Sequence, residues 1–130
     1  MHIAYRVNES LDEAELQKLY RQAPWARKRS LEGIAAMLQH TPVQVSAWLG
    51  ESLVGFARAL TDTQYRALVD DVIVDEEYRH RGIGTELVKR ITDELAHLDE
   101  VYLMCGPPLA GFYMRHGYER PDCVTLRRDR

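Results

Sequence analysis

Glu76-Glu77-Tyr78-Arg79-His80-Arg81-Gly82-Ile83-Gly84-Thr85-Glu86-Leu87-Val88 sets two glycines and three basic side chains at the mouth of a helix. The helix is read from Leu87, Val88, Ile91, Leu95 and Leu98, which share one face at a period near 3.6. Backbone N–H groups at a helix start lack internal partners, and the macrodipole adds partial positive charge there. Glycines allow close approach and positive φ. Arg79 and Arg81 contribute permanent charge. The stretch predicts a cradle for an anion, most naturally a phosphate.

Alternatives to that reading follow from spacing. A Rossmann dinucleotide loop needs a third small residue, and Leu87 stands there. A Walker loop needs a longer gap between glycines and a Lys-Ser/Thr pair, which the stretch lacks. A plain helix-start turn would also explain a lone Gly-x-Gly.

Outward from this loop the pattern is α+β. Ile3 to Val7 reads as a strand. Asn8-Glu9-Ser10 offers caps for a helix carrying Leu11, Leu16, Leu19 and Tyr20, broken by Pro24. Ser30 caps a second helix with Leu31, Ile34, Ala35 and Leu38 on one face. From Pro42 the period changes to two. Strands over Val43–Leu49, Leu53–Leu60 and Tyr65–Val74, joined by turns at Gly50-Glu51 and Thr61-Asp62-Thr63, form an antiparallel meander. The helix after Gly82 crosses to a strand over Val101–Cys105, which should lie parallel to Tyr65–Val74. Pro107-Pro108 opens a short helix through Met114, and Gly117 stops it. Tyr118–Glu119 and Cys123–Leu126 are predicted as closing strands. The expected architecture is a three-layer α/β arrangement within the α+β class. Its central sheet is mixed but mostly antiparallel, with helices on both faces, in one domain over residues 1–130.

Composition fits that outline. The chain has 130 residues, 45% hydrophobic and 28% charged, with a formal charge of −3. That balance is ordinary for a globular domain and argues against a field that gathers nucleic acid. The basic ending Arg127-Arg128-Asp129-Arg130 reads as a solvated tail. Cys105 and Cys123, the only cysteines, are not spaced as metal ligands. Cys105, on an apolar strand, is expected to be buried and inert. The N-terminus shows no signal-peptide pattern and no run reaches a membrane span. The expectation is a cytoplasmic protein with no membrane partner and no metal.

Two motifs together resemble the GNAT family of N-acetyltransferases. Arg79-x-x-Gly82-x-Gly84, preceded by Asp71-Val72-Ile73-Val74, looks like the family's acyl-CoA signature. Phe112-Tyr113-Met114-Arg115-His116-Gly117-Tyr118 is similar to its F-Y-x-x-x-G-F/Y segment about thirty residues on. Leu53-Val54-Gly55-Phe56-Ala57-Arg58 is similar to family members too, and the order of elements agrees from Ile3 to Leu126. Pro107 stands where many members carry an asparagine, and Arg79 where many carry glutamine.

The resemblance implies an acetyl-CoA-dependent N-acetyltransferase, with coenzyme A as cosubstrate and the primary amine of a small molecule or peptide as acceptor. It implies that Arg79, His80, Arg81, Gly82, Ile83, Gly84, Thr85 and Arg115 bind the cofactor, the loop taking its pyrophosphate. Ile73 and Val74 would offer main-chain groups to the acetyl and pantetheine parts. Tyr113 matches the position of the acid that serves the leaving thiolate. Asp71 is the candidate base, with Asp70 and His116 as neighbours that also titrate; a regular strand would point only one aspartate at the cleft. The double aspartate, where alternation stumbles, suggests a β-bulge. Tyr20 and Trp25 are the expected acceptor contacts, and Arg27-Lys28-Arg29 either meets an acidic acceptor or is solvated. Direct transfer is favoured over a Cys105 acyl-enzyme. The rival reading is a non-catalytic acyl-CoA-binding sensor, which has no need of an acid at Tyr113. A homodimer is entertained as the assembly.

Overall fold

The computed structural model describes residues 1–129; Arg130, the last residue of the basic tail, lies outside them. Five strands form one sheet in chain order: β1 (Ala4–Val7), β2 (Val43–Leu49), β3 (Ser52–Thr61), β4 (Arg66–Val74) and β5 (Glu100–Leu103). β1 to β4 pair antiparallel, and β4 pairs β5 in parallel. The helices are α1 (Glu13–Tyr20), α2 (Leu31–His40), α3 (Ile83–Glu94) and α4 (Ala110–Met114). The α+β architecture and the parallel crossover read from the sequence are therefore the observed ones.

Helices cover both faces because the central strands are apolar on both sides. In β3, seven consecutive residues from Leu53 to Ala59 are buried. One face packs Val45, Ala47, Val54 and Ala57 against Ile83, Leu87 and Ile91 of α3. The other packs Phe56 and Ile73 against Leu16, Leu19, Tyr20 and Ile34 of α1 and α2. Gly55 lets α3 approach: a Cβ there would lie 2.9 Å from Leu87 Cδ1, 3.1 Å from Ile83 Cγ2 and 3.3 Å from Ala47 Cβ.

Local chemistry corrects several boundaries. α1 is capped by Asp12, which accepts the Ala14 N–H, and not by Asn8 or Ser10. Asn8 instead accepts the Gln44 N–H and ties β1 to β2. α1 also ends at Tyr20, before Pro24. The predicted strands at Tyr118–Glu119 and Cys123–Leu126 are not formed. Pro121 interrupts them, supplying no N–H and restricting Arg120 before it. Val124 and Leu126 stand 80% and 89% exposed, so no burial offsets the ordering of that segment.

Two irregularities in β4 shape everything that follows. Its register against β3 jumps from Arg58↔Asp70 to Phe56↔Ile73, and Asp71 takes φ 53°. This is the bulge expected at the double aspartate, with one extra residue and a left-handed turn. Aspartate is among the few non-glycine residues that tolerate that turn. Pairing with β5 stops at Val69↔Leu103. β4 runs on to Val74, so its last five residues have no strand on that side.

Candidate functional site

Where β4 and β5 part, a cleft of about 370 Å³ opens. Val69, Asp70, Asp71 and Val72 form one side; Met104, Cys105, Leu109 and Tyr113 form the other. Trp25 and Arg29, from the segment between α1 and α2, close one end.

The floor is a buried charge cluster. Asp71 is 5% exposed. Its Oδ2 accepts from Arg58 Nε at 2.6 Å, Arg29 Nη1 at 2.7 Å and the Tyr20 hydroxyl at 2.9 Å, and its Oδ1 from Arg29 Nη2 at 3.4 Å. Burial alone would raise the carboxyl, but the Arg29 and Arg58 hydrogen bonds and the Arg58 charge outweigh it and hold it below the usual range. A carboxylate so occupied is a poor proton acceptor, which argues against the base role expected for Asp71. Tyr20 is fully buried with its hydroxyl spent on Asp71, which argues against the acceptor contact expected of it. Trp25 is 55% exposed in the cleft, edge-on to Tyr20 at 6.2 Å. Of Arg27-Lys28-Arg29, the first two are exposed and the third turns inward to Asp71.

Asp70 is the aspartate whose carboxylate meets the cleft. Its side chain is 44% exposed, and one oxygen lies 3.4 Å from Arg58 Nη2. Tyr113 faces it from α4 at 9% exposure. Burial first, then Cys105, Tyr118 and Asp70, pushes the Tyr113 hydroxyl up to about 12. Phe112 packs edge-on at 5.0 Å and Tyr118 at 6.2 Å, and Tyr118 is anchored by a 2.8 Å bond to Thr92 of α3. His116 meets Phe112 edge-on, with ring centroids 5.0 Å apart. Cys105 is exposed on the cleft wall just past β5. The expectation that it is buried fails because the strand ends two residues earlier.

At the other end of β4, Asp75 caps a single 3₁₀ turn over Glu76–Tyr78. The chain then reverses through His80 at φ 64° and Gly82 at φ 84°. Left-handed turns of this kind make anion-binding concavities. α3 has no side-chain cap, and its first internal bond runs from Glu86 N–H to Gly82 O. The N–H groups of Ile83, Gly84 and Thr85 are thus the uncommitted ones of a helix start. A Cβ on Gly82 would meet nothing within 4 Å, so this backbone faces open space. Arg79 Nε donates to Val74 O at 3.2 Å, which ties the loop to the end of β4. Arg81 lies 5.7 Å from the Tyr78 ring centroid. Arg115 is exposed one turn beyond Gly111, and Ile83 offers only its N–H because its side chain is 2% exposed in the core. Ile73 is buried, and Val74 half-buried, on the unpaired stretch of β4.

Sequence reading gave Arg29 to an acidic acceptor or to solvent, and missed both its pairing with Asp71 and the role of Arg58. Arg58 carried a signal: a guanidinium midway along the apolar strand Leu53–Leu60 has to find an anion. Among the described residues no group of three or more His, Cys, Asp or Glu could hold a metal, and no helix is long and apolar enough to cross a membrane.

Comparison with known proteins agrees with this geometry. The model of the Acetyltransferase (GNAT) family matches residues 8–118. The uncharacterized N-acetyltransferase ycf52 of Gracilaria tenuistipitata var. liui is 29% identical over 117 residues, covering 85% of this chain and 64% of its own. The chain thus spans about two-thirds of the length of that relative. A GNAT-family acetyltransferase of Streptococcus pneumoniae superposes with TM-score 0.87 at 25% identity, covering 99% and 98% of the two chains. An aminoglycoside N-acetyltransferase solved in complex with CoA superposes with TM-score 0.75 at 16% identity, over 99% and 95%, which is a likeness of fold alone.

Proposed function

The chain belongs to the GNAT acetyltransferase family, and from that premise we propose an acetyl-CoA-dependent N-acetyltransferase acting on a primary amine. The observation that carries the reading is the parting of β4 from β5 after Val69↔Leu103. It leaves a strand edge that ends at an uncapped helix start on one side and opens onto Tyr113 on the other.

The residues present suit coenzyme A. The N–H groups of Ile83, Gly84 and Thr85, with the Arg79–Gly82 turn, suit a pyrophosphate. The free edge of β4 at Ile73 and Val74 suits an extended arm bearing amides. Arg115 is an added cation on that side. The thioester supplies an activated acetyl group and a thiolate leaving group.

The amine nitrogen attacks the acetyl carbon; the C–N bond forms, the C–S bond breaks, and the proton left on nitrogen ends on sulfur. Tyr113 stands protonated at every working pH and donates toward the departing sulfur. Its hydroxyl near 12 is a weaker acid than a thiol of about 8.5. It therefore stabilises the thiolate by hydrogen bonding and relays a proton rather than giving one up alone. The attacking amine must first be neutral. An alkylammonium near 10 cannot be deprotonated efficiently by a carboxylate near 4, a gap of about six units. We therefore assign Asp71 to holding Arg29, Arg58 and Tyr20 in place, and Asp70 to meeting the incoming amine, whose proton leaves to solvent.

The test is release of thiol from acetyl-CoA across an amine panel, run beside calorimetry of acetyl-CoA binding. Binding and turnover together sustain the proposal. Binding without turnover of any amine would support a sensor instead.

A further inference from the structure

The cleft has a chemistry specific enough to name its acceptor. Its two guanidinium groups are already engaged: Arg29 through Nη1 and Nη2 and Arg58 through Nε, all on Asp71, while Arg58 Nη2 reaches one oxygen of Asp70 at 3.4 Å and leaves the other open. Arg58 is 8% exposed and has no open face for a ligand anion. The charge most open to solvent in the cleft is the Asp70 carboxylate, with 44% of its side chain exposed against 32% for Arg29. Around it the walls are apolar and uncovered: Trp25 at 55%, Met104 at 63% and Leu109 at 52% exposed. Trp25 is not loosely placed, since Tyr20 meets it edge-on and the Arg29 guanidinium lies 5.5 Å from its ring centroid. Asp71 thereby fixes, through Arg29 and Tyr20, the orientation of an exposed aromatic plane.

We infer that the acceptor is a cationic primary amine carried on a flat apolar body, without an anionic group. Its ammonium meets Asp70, and its body lies on Trp25 against Met104 and Leu109. An acceptor bearing a carboxylate or phosphate is disfavoured, because it would face Asp70, and Arg29, the guanidinium that lines the cleft with 32% of its side chain exposed, is already held on Asp71 by two hydrogen bonds. The inference rests on the acetyltransferase reading above but concerns only the acceptor.

The experiment compares 2-phenylethylamine, 4-(2-aminoethyl)benzoate and ethanolamine as acceptors by thiol release. It also measures equilibrium binding of the first two in the presence of coenzyme A, by calorimetry. Phenylethylamine should exceed each of the others at least about tenfold in kcat/KM, the scale of one charge-assisted contact or one buried ring. Asp70→Asn should raise KM for phenylethylamine about tenfold or more and narrow the discrimination against the benzoate. Trp25→Ala should reduce the advantage over ethanolamine while leaving acetyl-CoA affinity unchanged. Benzoate used or bound as well as phenylethylamine, or discrimination untouched by Asp70→Asn, would overturn the inference. Selective, Asp70-dependent binding without thiol release from any amine would preserve the acceptor class and remove the acetyl-transfer reading instead.

Discussion

Replacing Asp71 with asparagine isolates the charge at the floor of the cleft. Asparagine has the same shape and tolerates the left-handed φ of 53° about as well, so backbone strain is not introduced. What changes is that Arg58, 8% exposed, loses its anion at 2.6 Å, and Arg29 loses its own at 2.7 Å. Breaking one partner of a buried pair costs about 3–5 kcal/mol. The lower end applies here, because the amide oxygen still accepts one hydrogen bond and Asp70 remains 3.4 Å from Arg58. Unfolding entropy near 2.1 cal/mol/K per residue gives about 0.27 kcal/mol/K for this chain, so about 3 kcal/mol lowers Tm by about 11 °C. The assay is calorimetric or circular-dichroism melting at pH 7. The double variant Asp71→Asn with Arg58→Met removes both charges and should recover part of the loss. A fall smaller than about 4 °C, or a double variant no better than the single one, would refute the idea that Asp71 is a structural anion.

Other outcomes follow from the same geometry. Asp71 is held below the usual carboxylate range when folded. Its stabilisation should be full above that range and disappear as pH falls through the folded value, while Asp71→Asn melts with a flatter acid limb. Tyr113→Phe should cut kcat by about 10²–10⁴ with KM for acetyl-CoA nearly unchanged; turnover within threefold of the parent would mean another group serves the sulfur. Because the Tyr113 hydroxyl lies near 12, activity should climb with pH as the amine loses its proton and show no fall by pH 10. A Cβ on Gly84 would make only ordinary contacts, 3.6 Å to Val74 and 3.8 Å to Phe112. Gly84→Val should therefore stay folded yet bind acetyl-CoA about tenfold or more weakly, since its branches enter the cradle; unchanged calorimetric affinity would sink the pyrophosphate placement. Cys105→Ala should keep most of the activity, and mass spectrometry after acetyl-CoA alone should find no acetyl adduct on Cys105.

The sheet was legible because its strands are long, alternating or continuously apolar, and separated by turn residues, and because Gly82 announces α3. The bulge was legible for a related reason: two aspartates in succession cannot both follow the alternation of a half-buried strand. The closing segment was misread because Val124 and Leu126 have strand propensity without a surface to cover, and propensity loses when nothing is buried. The floor of the cleft was hidden for a geometric reason. Asp71 meets Arg29 and Tyr20 from 42 and 51 residues away, and nothing in local spacing reports a charge pair made across two layers. The same distance hid the fact that Tyr20 spends its hydroxyl on Asp71 and lies buried beneath the exposed Trp25.

The five residues of β4 beyond Val69 also carry a hazard of their own. An unpaired strand edge is a template on which another molecule's strand can dock, and such docking leads to aggregation. Here a bulge bends that edge at Asp71 and the next outward side chain is the charged Asp70, two devices that spoil a flat template. Asp70→Val should then do more than alter acceptor use. It should make the protein precipitate sooner at high concentration, and a ligand seated along the edge should delay that precipitation by occupying the place a foreign strand would take.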